Sequence, residues 1–221
     1  MRTWKRHSKS AAAPRERPSE SRANGELDAV NRQWRRKIVS HAGGLKPRID
    51  PNHDHLRGPL GPDNATVTLV EYGDFQSPAC IAAAATIGKL RERFDGQLRF
   101  AFRHCPLGAA HPLALHAAEA AEAAGAQGRF WEMHDLIYRR DQGLEPALLR
   151  KLAKDLELDL ERFDSELADE THLRHVMEDF QSGVDSGVNG TPTFFINKER
   201  IDWDFDVATL RDEVQRASRA A

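Results

Sequence analysis

Cysteine is scarce in this chain, with two in 221 residues. Small secreted domains held together by disulfides use many more, so this class is disfavoured and a reducing cytoplasm is expected. No run of about 18 apolar residues occurs, so no transmembrane helix is predicted. The N-terminal stretch "MRTWKRHSKS" is basic, but no apolar segment follows it. A secretory signal is therefore not expected, and the predicted location is the cytoplasm.

Charge is divided unevenly along the chain. Residues 1–60 hold fourteen Lys and Arg against six Asp and Glu, whereas residues 61–221 hold eighteen against twenty-eight. A basic segment on an acidic domain can contact nucleic acid or anionic lipid. Because no recognition motif accompanies the charge, specific nucleic-acid binding is not predicted.

Composition shifts divide the chain into four segments. Residues 1–25 are rich in Arg, Ser, Pro and Ala and lack apolar periodicity, which predicts a disordered basic tail. Residues 26–42 carry apolar side chains at helical spacing, which predicts a short amphipathic helix. Residues 43–62 read as a proline-rich linker, and residues 63–221 as the folded domain.

The folded segment has an α/β pattern. "TVTLVEY" is nearly continuous in apolar and β-branched residues, as a buried strand of a parallel sheet requires, and "GQLRFAFRHC" supplies a second strand after a helix. A mostly helical region of about residues 108–187 follows. "TPTFFINKERIDW" then predicts two short strands around a polar turn, and "DVATLRDEVQRAS" a closing helix.

The stretch "DFQSPAC" starts the helix between the first two strands. Serine is a favoured helix N-cap and proline is favoured at the first helical position, so Ser77 and Pro78 explain a helix start without any chemistry. Cys80 would then be one more small buried residue. The residues alone leave open whether this stretch is catalytic.

Three stretches in this order carry a family resemblance: "RGPLGPDNATVTLVEYGDFQSPAC", "FRHCPL" with "HPLALHAAEAAEAAGAQGRFWEMHDLIY", and "DFQSGVDSGVNGTPTFFIN". The chain resembles the DsbA-type proteins of the thioredoxin fold over about residues 55–221. It is most similar to the bacterial cytoplasmic group also found fused to NhaA-type antiporters. The resemblance implies a thioredoxin core with an inserted helical domain and a thiol–disulfide oxidoreductase ancestry.

The resemblance also implies a role for "SPAC". The family's catalytic pattern is Cys-x-x-Cys, in which an exposed thiolate at a helix N-terminus attacks a substrate disulfide and a second cysteine resolves the intermediate. Here the first position is Ser77 and the second is Cys80. A serine hydroxyl cannot form a disulfide, so we expect a monothiol site with weak redox activity or none.

Other site residues follow from the same resemblance. Glu71 stands at the position of the family's buried acid, which tunes the thiols. The Thr191–Pro192 pair matches the family's cis-proline loop and, with Pro78, would bind substrate backbone. Cys105 departs from the family, which generally has an apolar residue at this position; it is the one candidate for a replacement second thiol, although a buried, inert cysteine is the favoured interpretation.

Histidines invite a metal interpretation that their spacing does not support. His53 and His55 lie in the predicted linker, and His111 and His116 are five residues apart, which does not place them on one helical face. No zinc-ligand spacing appears, so no metal site is predicted.

Three functional hypotheses remain. The first is a DsbA-like member of the thiol–disulfide oxidoreductase superfamily with a degenerate Ser77-x-x-Cys80 site that binds a protein or peptide thiol or disulfide. The second is a glutathione-dependent transferase or isomerase of the kappa type, in which Ser77 would hydrogen-bond the glutathione thiolate. The third is a non-catalytic peptide-binding module. No cofactor other than glutathione is indicated, and the oligomeric state is left open.

Overall fold

The computed structural model describes residues 59–141, 143–201 and 207–220. The predicted tail of residues 1–25, the predicted helix of residues 26–42 and nearly all of the predicted linker lie outside these ranges. Near the end of that linker, Leu60 exchanges two backbone hydrogen bonds with Phe100, at 2.8 and 2.7 Å. This part of the linker is therefore held against the sheet.

Four strands form one mixed sheet in the order β2-β1-β3-β4. β1 (Val67–Gly73) and β2 (Leu98–His104) are parallel, while β3 (Thr193–Ile196) runs antiparallel to β1 and β4 (Glu199–Arg200) antiparallel to β3. The crossover between β1 and β2 is helix α1 (Pro78–Arg93). The polar turn between β3 and β4 is Asn197–Lys198, where both residues have positive φ.

Five helices stand between β2 and β3: α2 (Ala114–Gly125), α3 (Phe130–Tyr138), α4 (Pro146–Asp155), α5 (Leu160–Ala168) and α6 (Leu173–Asp185). Helix α7 (Val207–Ala220) follows the sheet. The sheet with its inserted helices confirms the predicted α/β thioredoxin fold. None of the helices in the described ranges combines the length and apolar character needed to cross a bilayer.

The sheet separates two apolar cores because side chains alternate between its faces. On one face, Leu69 and Phe102 pack in a cluster that draws on α1 to α5 and α7. On the other face, Val70 and Tyr72 pack with side chains of α6 such as Phe180. Helix α2 is almost entirely buried, and its run of alanines lets neighbouring helices approach closely.

Buried polar pairs tie the inserted helices to β2. The Arg103 Nη1 and Asp179 Oδ1 atoms lie 3.2 Å apart with both side chains at least 96% buried, and Asp179 also accepts a 2.9 Å bond from the His104 backbone N–H. The His104 ring lies 2.8 Å from the Glu122 carboxylate. These contacts fix α2 and α6 at the C-terminal end of β2, beside the residues that begin α1.

The buried ion pair generates a stability prediction. Arg103→Ala leaves the Asp179 carboxylate buried without its guanidinium, so the free energy of unfolding should fall by about 3–5 kcal/mol. Urea denaturation measures this change. Arg174→Ala is the matched control, because Arg174 pairs with Glu178 at 3.3 Å on the exposed surface of α6 and should cost less than about 1 kcal/mol. Equal losses in the two variants would contradict this account.

Candidate functional site

Ser77 is the N-cap of α1. Its backbone is extended, Pro78 follows at the start of the helix, and the Ser77 Oγ accepts a 3.4 Å hydrogen bond from the Cys80 backbone N–H. The Ser77 backbone N–H donates in turn to the Asp74 carbonyl at 3.1 Å. The side chain is only 3% exposed. The first position of the motif is therefore occupied by a structural cap rather than by an exposed group.

The loop before β3 packs against this cap. The Ser77 hydroxyl donates to the Thr191 carbonyl at 3.3 Å, and the Thr191–Pro192 peptide bond is cis. The Thr193 hydroxyl closes the loop by donating to the Gly190 carbonyl at 2.7 Å. A serine hydroxyl has one proton, so the Ser77 proton is committed to Thr191 in this arrangement.

Cys80 points into the core and is 0% exposed. Its sulfur accepts a 3.4 Å hydrogen bond from the Asp74 backbone N–H. Burial, reinforced by the nearby Glu71 carboxyl, raises the pKa of the Cys80 thiol to about 12. Only a thiolate attacks a disulfide efficiently, so this thiol is inert near neutral pH.

Glu71 lies on β1 beneath α1 and is 2% exposed. Burial raises the pKa of its carboxyl from the usual 4.5 to about 8, so the group is mostly protonated at neutral pH. Its Oε1 atom makes no hydrogen bond with any described residue. The carboxyl is therefore a neutral polar group, able to donate and to accept, in the core beneath α1.

Asp74 organises the loops around the site and was missed by sequence reasoning. Its carboxylate accepts hydrogen bonds from the Gln76 N–H at 2.7 Å, the Leu107 N–H at 2.8 Å and the His111 Nδ1 at 2.7 Å. The first bond is an Asx-turn, which an Asp directly after a strand end could have suggested. The other two join the segment after β2 to the start of α1.

The predicted site residues fall into two groups. Ser77, Cys80, Glu71 and the Thr191–Pro192 loop lie around the N-terminal end of α1, and Pro78 is exposed there. Cys105 is buried and belongs to the core on the opposite face of the sheet from Cys80. Both thiols are free. Among the described residues, no cluster of three or more His, Cys, Asp or Glu side chains is arranged to hold a metal.

Comparison with known proteins places this geometry in context. A family model described as thioredoxin matches residues 56–216. The Na(+)/H(+) antiporter NhaA 1 of Salinispora arenicola is 45% identical over 169 residues, which cover 76% of this chain and 25% of the antiporter. The antiporter NhaA of Herminiimonas arsenicoxydans is 37% identical over 187 residues, covering 85% and 29%. The chain thus spans about a quarter of the length of these curated relatives.

Solved structures share the fold. A thioredoxin-like oxidoreductase from Silicibacter pomeroyi DSS-3 superimposes with a TM-score of 0.68 at 26% identity, covering 79% of this chain and 99% of that one. Oxidised BdbD from Bacillus subtilis gives a TM-score of 0.69 at 24% identity, covering 79% and 96%. The similarity therefore extends through the inserted helices as well as the sheet.

The buried acid generates a pH prediction. The folded chain holds a proton on Glu71 up to about pH 8, whereas the unfolded chain releases it above about pH 4.5, so the free energy of unfolding should decrease as pH rises between these values. Glu71→Gln mimics the protonated acid and should make that decrease shallower. Denaturant titrations at pH 5 and pH 8 measure it. An unchanged pH dependence in the variant would show that Glu71 is already ionised in the folded protein.

Proposed function

The chain belongs to the thioredoxin family, and on that basis we propose that it is a DsbA-like domain of the thiol–disulfide oxidoreductase superfamily whose Ser77-x-x-Cys80 site is degenerate. In this proposal the domain keeps the family's scaffold and its substrate-facing loop, while its redox activity is weak or lost. Its partner is a protein or peptide segment rather than a disulfide that it turns over.

The burial of Cys80 is the observation that carries the proposal. Disulfide exchange needs an accessible thiolate to attack and a second thiol to resolve the mixed disulfide. Cys80 is 0% exposed, and its thiol pKa is raised to about 12. The position that would attack holds the Ser77 hydroxyl, which is engaged with both Cys80 and Thr191. Neither half of the two-thiol cycle is available near neutral pH.

The packing around Cys105 does not support a role for it as a replacement second thiol. Cys105 is 1% exposed and sits in the opposite core, and its pKa is raised well above the usual value by burial and by the nearby Asp74. A relocated Cys80–Cys105 pair would need both side chains to leave their cores. We therefore propose that Cys105 is structural.

This site can still bind an extended peptide segment. Thr191 and Pro192 are half-buried and Pro78 is exposed, so a surface remains at the N-terminal end of α1. Backbone amides at a helix start and in a loop before a strand can bind an extended chain without any redox step. If the redox activity is lost altogether, the same proposal describes a non-catalytic peptide-binding module.

The glutathione hypothesis receives less support from the geometry. It needs the Ser77 hydroxyl to donate to a thiolate, but that hydroxyl is 3% exposed and donates to the Thr191 carbonyl. Calorimetry with reduced glutathione tests it. We expect no saturable heat at millimolar ligand; weak binding that Ser77→Ala reduces would instead establish a thiol-binding site and favour the transferase.

A reducing compartment is consistent with these cysteines, and we propose the cytoplasm as the location. The chain has two cysteines, and both are free thiols in the structure. A cytoplasmic setting would keep them reduced.

Restoring one sulfur tests the proposal directly. Wild type should not catalyse the reduction or oxidation of a protein disulfide such as insulin. Ser77→Cys exchanges oxygen for sulfur at the N-cap, and in the oxidised variant the new thiol should pair with Cys80 and give measurable turnover. Mass spectrometry of the intact protein detects the disulfide.

A matched variant separates the outcomes. Ser77→Cys combined with Cys80→Ala should accumulate mixed disulfides, because no thiol remains to resolve them. Turnover by wild type that disappears in Cys105→Ala would overturn the monothiol assignment. Failure of Ser77→Cys to form any disulfide would favour the binding module over a degenerate redox site.

A further inference from the structure

A cavity of about 440 Å³ lies between α1 and α3, and no residue of the Thr191–Pro192 loop lines it. This size is within the range of small-molecule sites. Its walls are formed by the apolar side chains of Ile81, Ala84, Ala85, Ile87 and Phe100. Its polar lining consists of two groups, a buried floor and a charged rim.

The cavity exists because the facing surface of α1 carries small residues. Ala84, Ala85 and Gly88 are three or four positions apart or adjacent, so they share one side of the helix. A Cβ atom built on Gly88 would meet no other atom within 4 Å. Bulkier side chains at these positions would fill the gap, as they do in an ordinary helix contact.

Three unpaired polar atoms belong to the residues that form the floor. They are Glu71 Oε1, His134 Nε2 and the Tyr138 hydroxyl, and none has a hydrogen-bond partner among the described residues. Each side chain is more than nine-tenths buried. The Tyr138 hydroxyl lies near the Cys80 thiol without the geometry of a hydrogen bond. Buried polar groups are nearly always satisfied, so three orphans at one cavity indicate an absent partner.

The floor is uncharged but polar. The His134 Nδ1 lies 3.0 Å from the Asp135 carboxylate, which can only accept, so the ring proton is on Nδ1 and the Nε2 presents a lone pair. Tyr138 and the protonated Glu71 each offer an O–H that can donate or accept. A ligand group that both donates and accepts, such as a hydroxyl, satisfies this floor. A carboxylate does not, because it would face the Nε2 lone pair.

The rim of the cavity, in contrast to its uncharged floor, carries charged side chains. Lys89, Arg91 and Arg139 contribute three positive charges, against the two carboxylates Glu92 and Asp135. Asp135 already accepts hydrogen bonds from His134 and from Arg139 at 3.4 Å. The entrance therefore favours an anionic group at the outer end of a ligand.

We propose that this cavity is a binding site for a small hydroxyaryl acid, whose hydroxyl reaches Glu71, His134 and Tyr138 and whose carboxylate faces Lys89 and Arg91. The aromatic body lies between the apolar side chains of α1 and Phe100. The site shares Glu71 with the candidate functional site and its floor reaches Tyr138 near Cys80, but its lining includes neither Ser77 nor the cis-proline loop, and binding there requires no thiol chemistry.

Calorimetric titration of the full chain with 4-hydroxyphenylacetate tests the proposal. Saturable binding is expected. Phenylacetate, which lacks the hydroxyl, should bind about two- to tenfold more weakly, since the floor would remain unsatisfied. Tyramine, in which an ammonium group replaces the carboxylate, should bind about two- to fivefold more weakly because of the rim.

Variants locate the binding in the cavity. Ala84→Leu and Gly88→Leu each place a bulky side chain in the gap and should abolish binding, whereas Ala82→Leu makes the same change at an exposed position of α1 and should leave it intact. Tyr138→Phe should remove most of the preference for the hydroxylated probe while still binding phenylacetate, an outcome that a general loss of packing would not produce.

Three results would overturn the proposal. They are no saturable heat with 4-hydroxyphenylacetate at 10 mM, equal affinity for the probe and phenylacetate, or unchanged binding in both cavity-filling variants. A crystal structure in the presence of the probe that shows only ordered water on Glu71, His134 and Tyr138 would also contradict it.

Discussion

The Ser77 hydroxyl is the contact on which the arrangement of the site depends. It accepts from the Cys80 N–H and donates to the Thr191 carbonyl, so one oxygen joins the start of α1 to the loop before β3. A cysteine at this position would supply a reactive sulfur, whereas serine supplies a neutral cap that both contacts keep in place. The helix start retains its shape while the group that would attack a disulfide is absent.

The scaffold around that contact is built from buried polar groups. Asp74 holds the segment after β2 against the start of α1, and the Arg103–Asp179 pair fixes α6 against the same strand. Removing such partners leaves desolvated charge, which costs more than the contact itself contributes. Of the inserted helices, α3 brings Tyr138 close to Cys80, whereas α6 packs on the opposite face of the sheet. The same packing leaves a gap beside α1, where Ala84 and Gly88 are too small to fill it.

Local sequence signals were sufficient for most of the fold. The apolar and β-branched run of "TVTLVEY" predicted β1, "GQLRFAFRHC" predicted β2, and the Ser-Pro pair predicted the start of α1. The cis-proline loop and the buried acid came from resemblance, since neither residue type has a local signature. The hydrogen bond between Asp74 and His111 joins residues that are 37 positions apart in the chain. Cys105 lies on the opposite face of the sheet from Cys80, and this placement depends on how side chains alternate along β2. Contacts of this kind depend on how separate elements pack, which periodicity does not encode.

The central claim is that Cys80 is a buried, protonated thiol, and its reaction rate with a small thiol reagent as a function of pH tests this most directly. Mass spectrometry of Cys105→Ala assigns the modification to Cys80. The account predicts slow labelling of the folded protein with a thiol pKa of about 12, and rapid labelling only after unfolding. Rapid labelling of the folded protein with a thiol pKa near or below neutrality would contradict it, because an accessible thiolate could then take part in disulfide exchange.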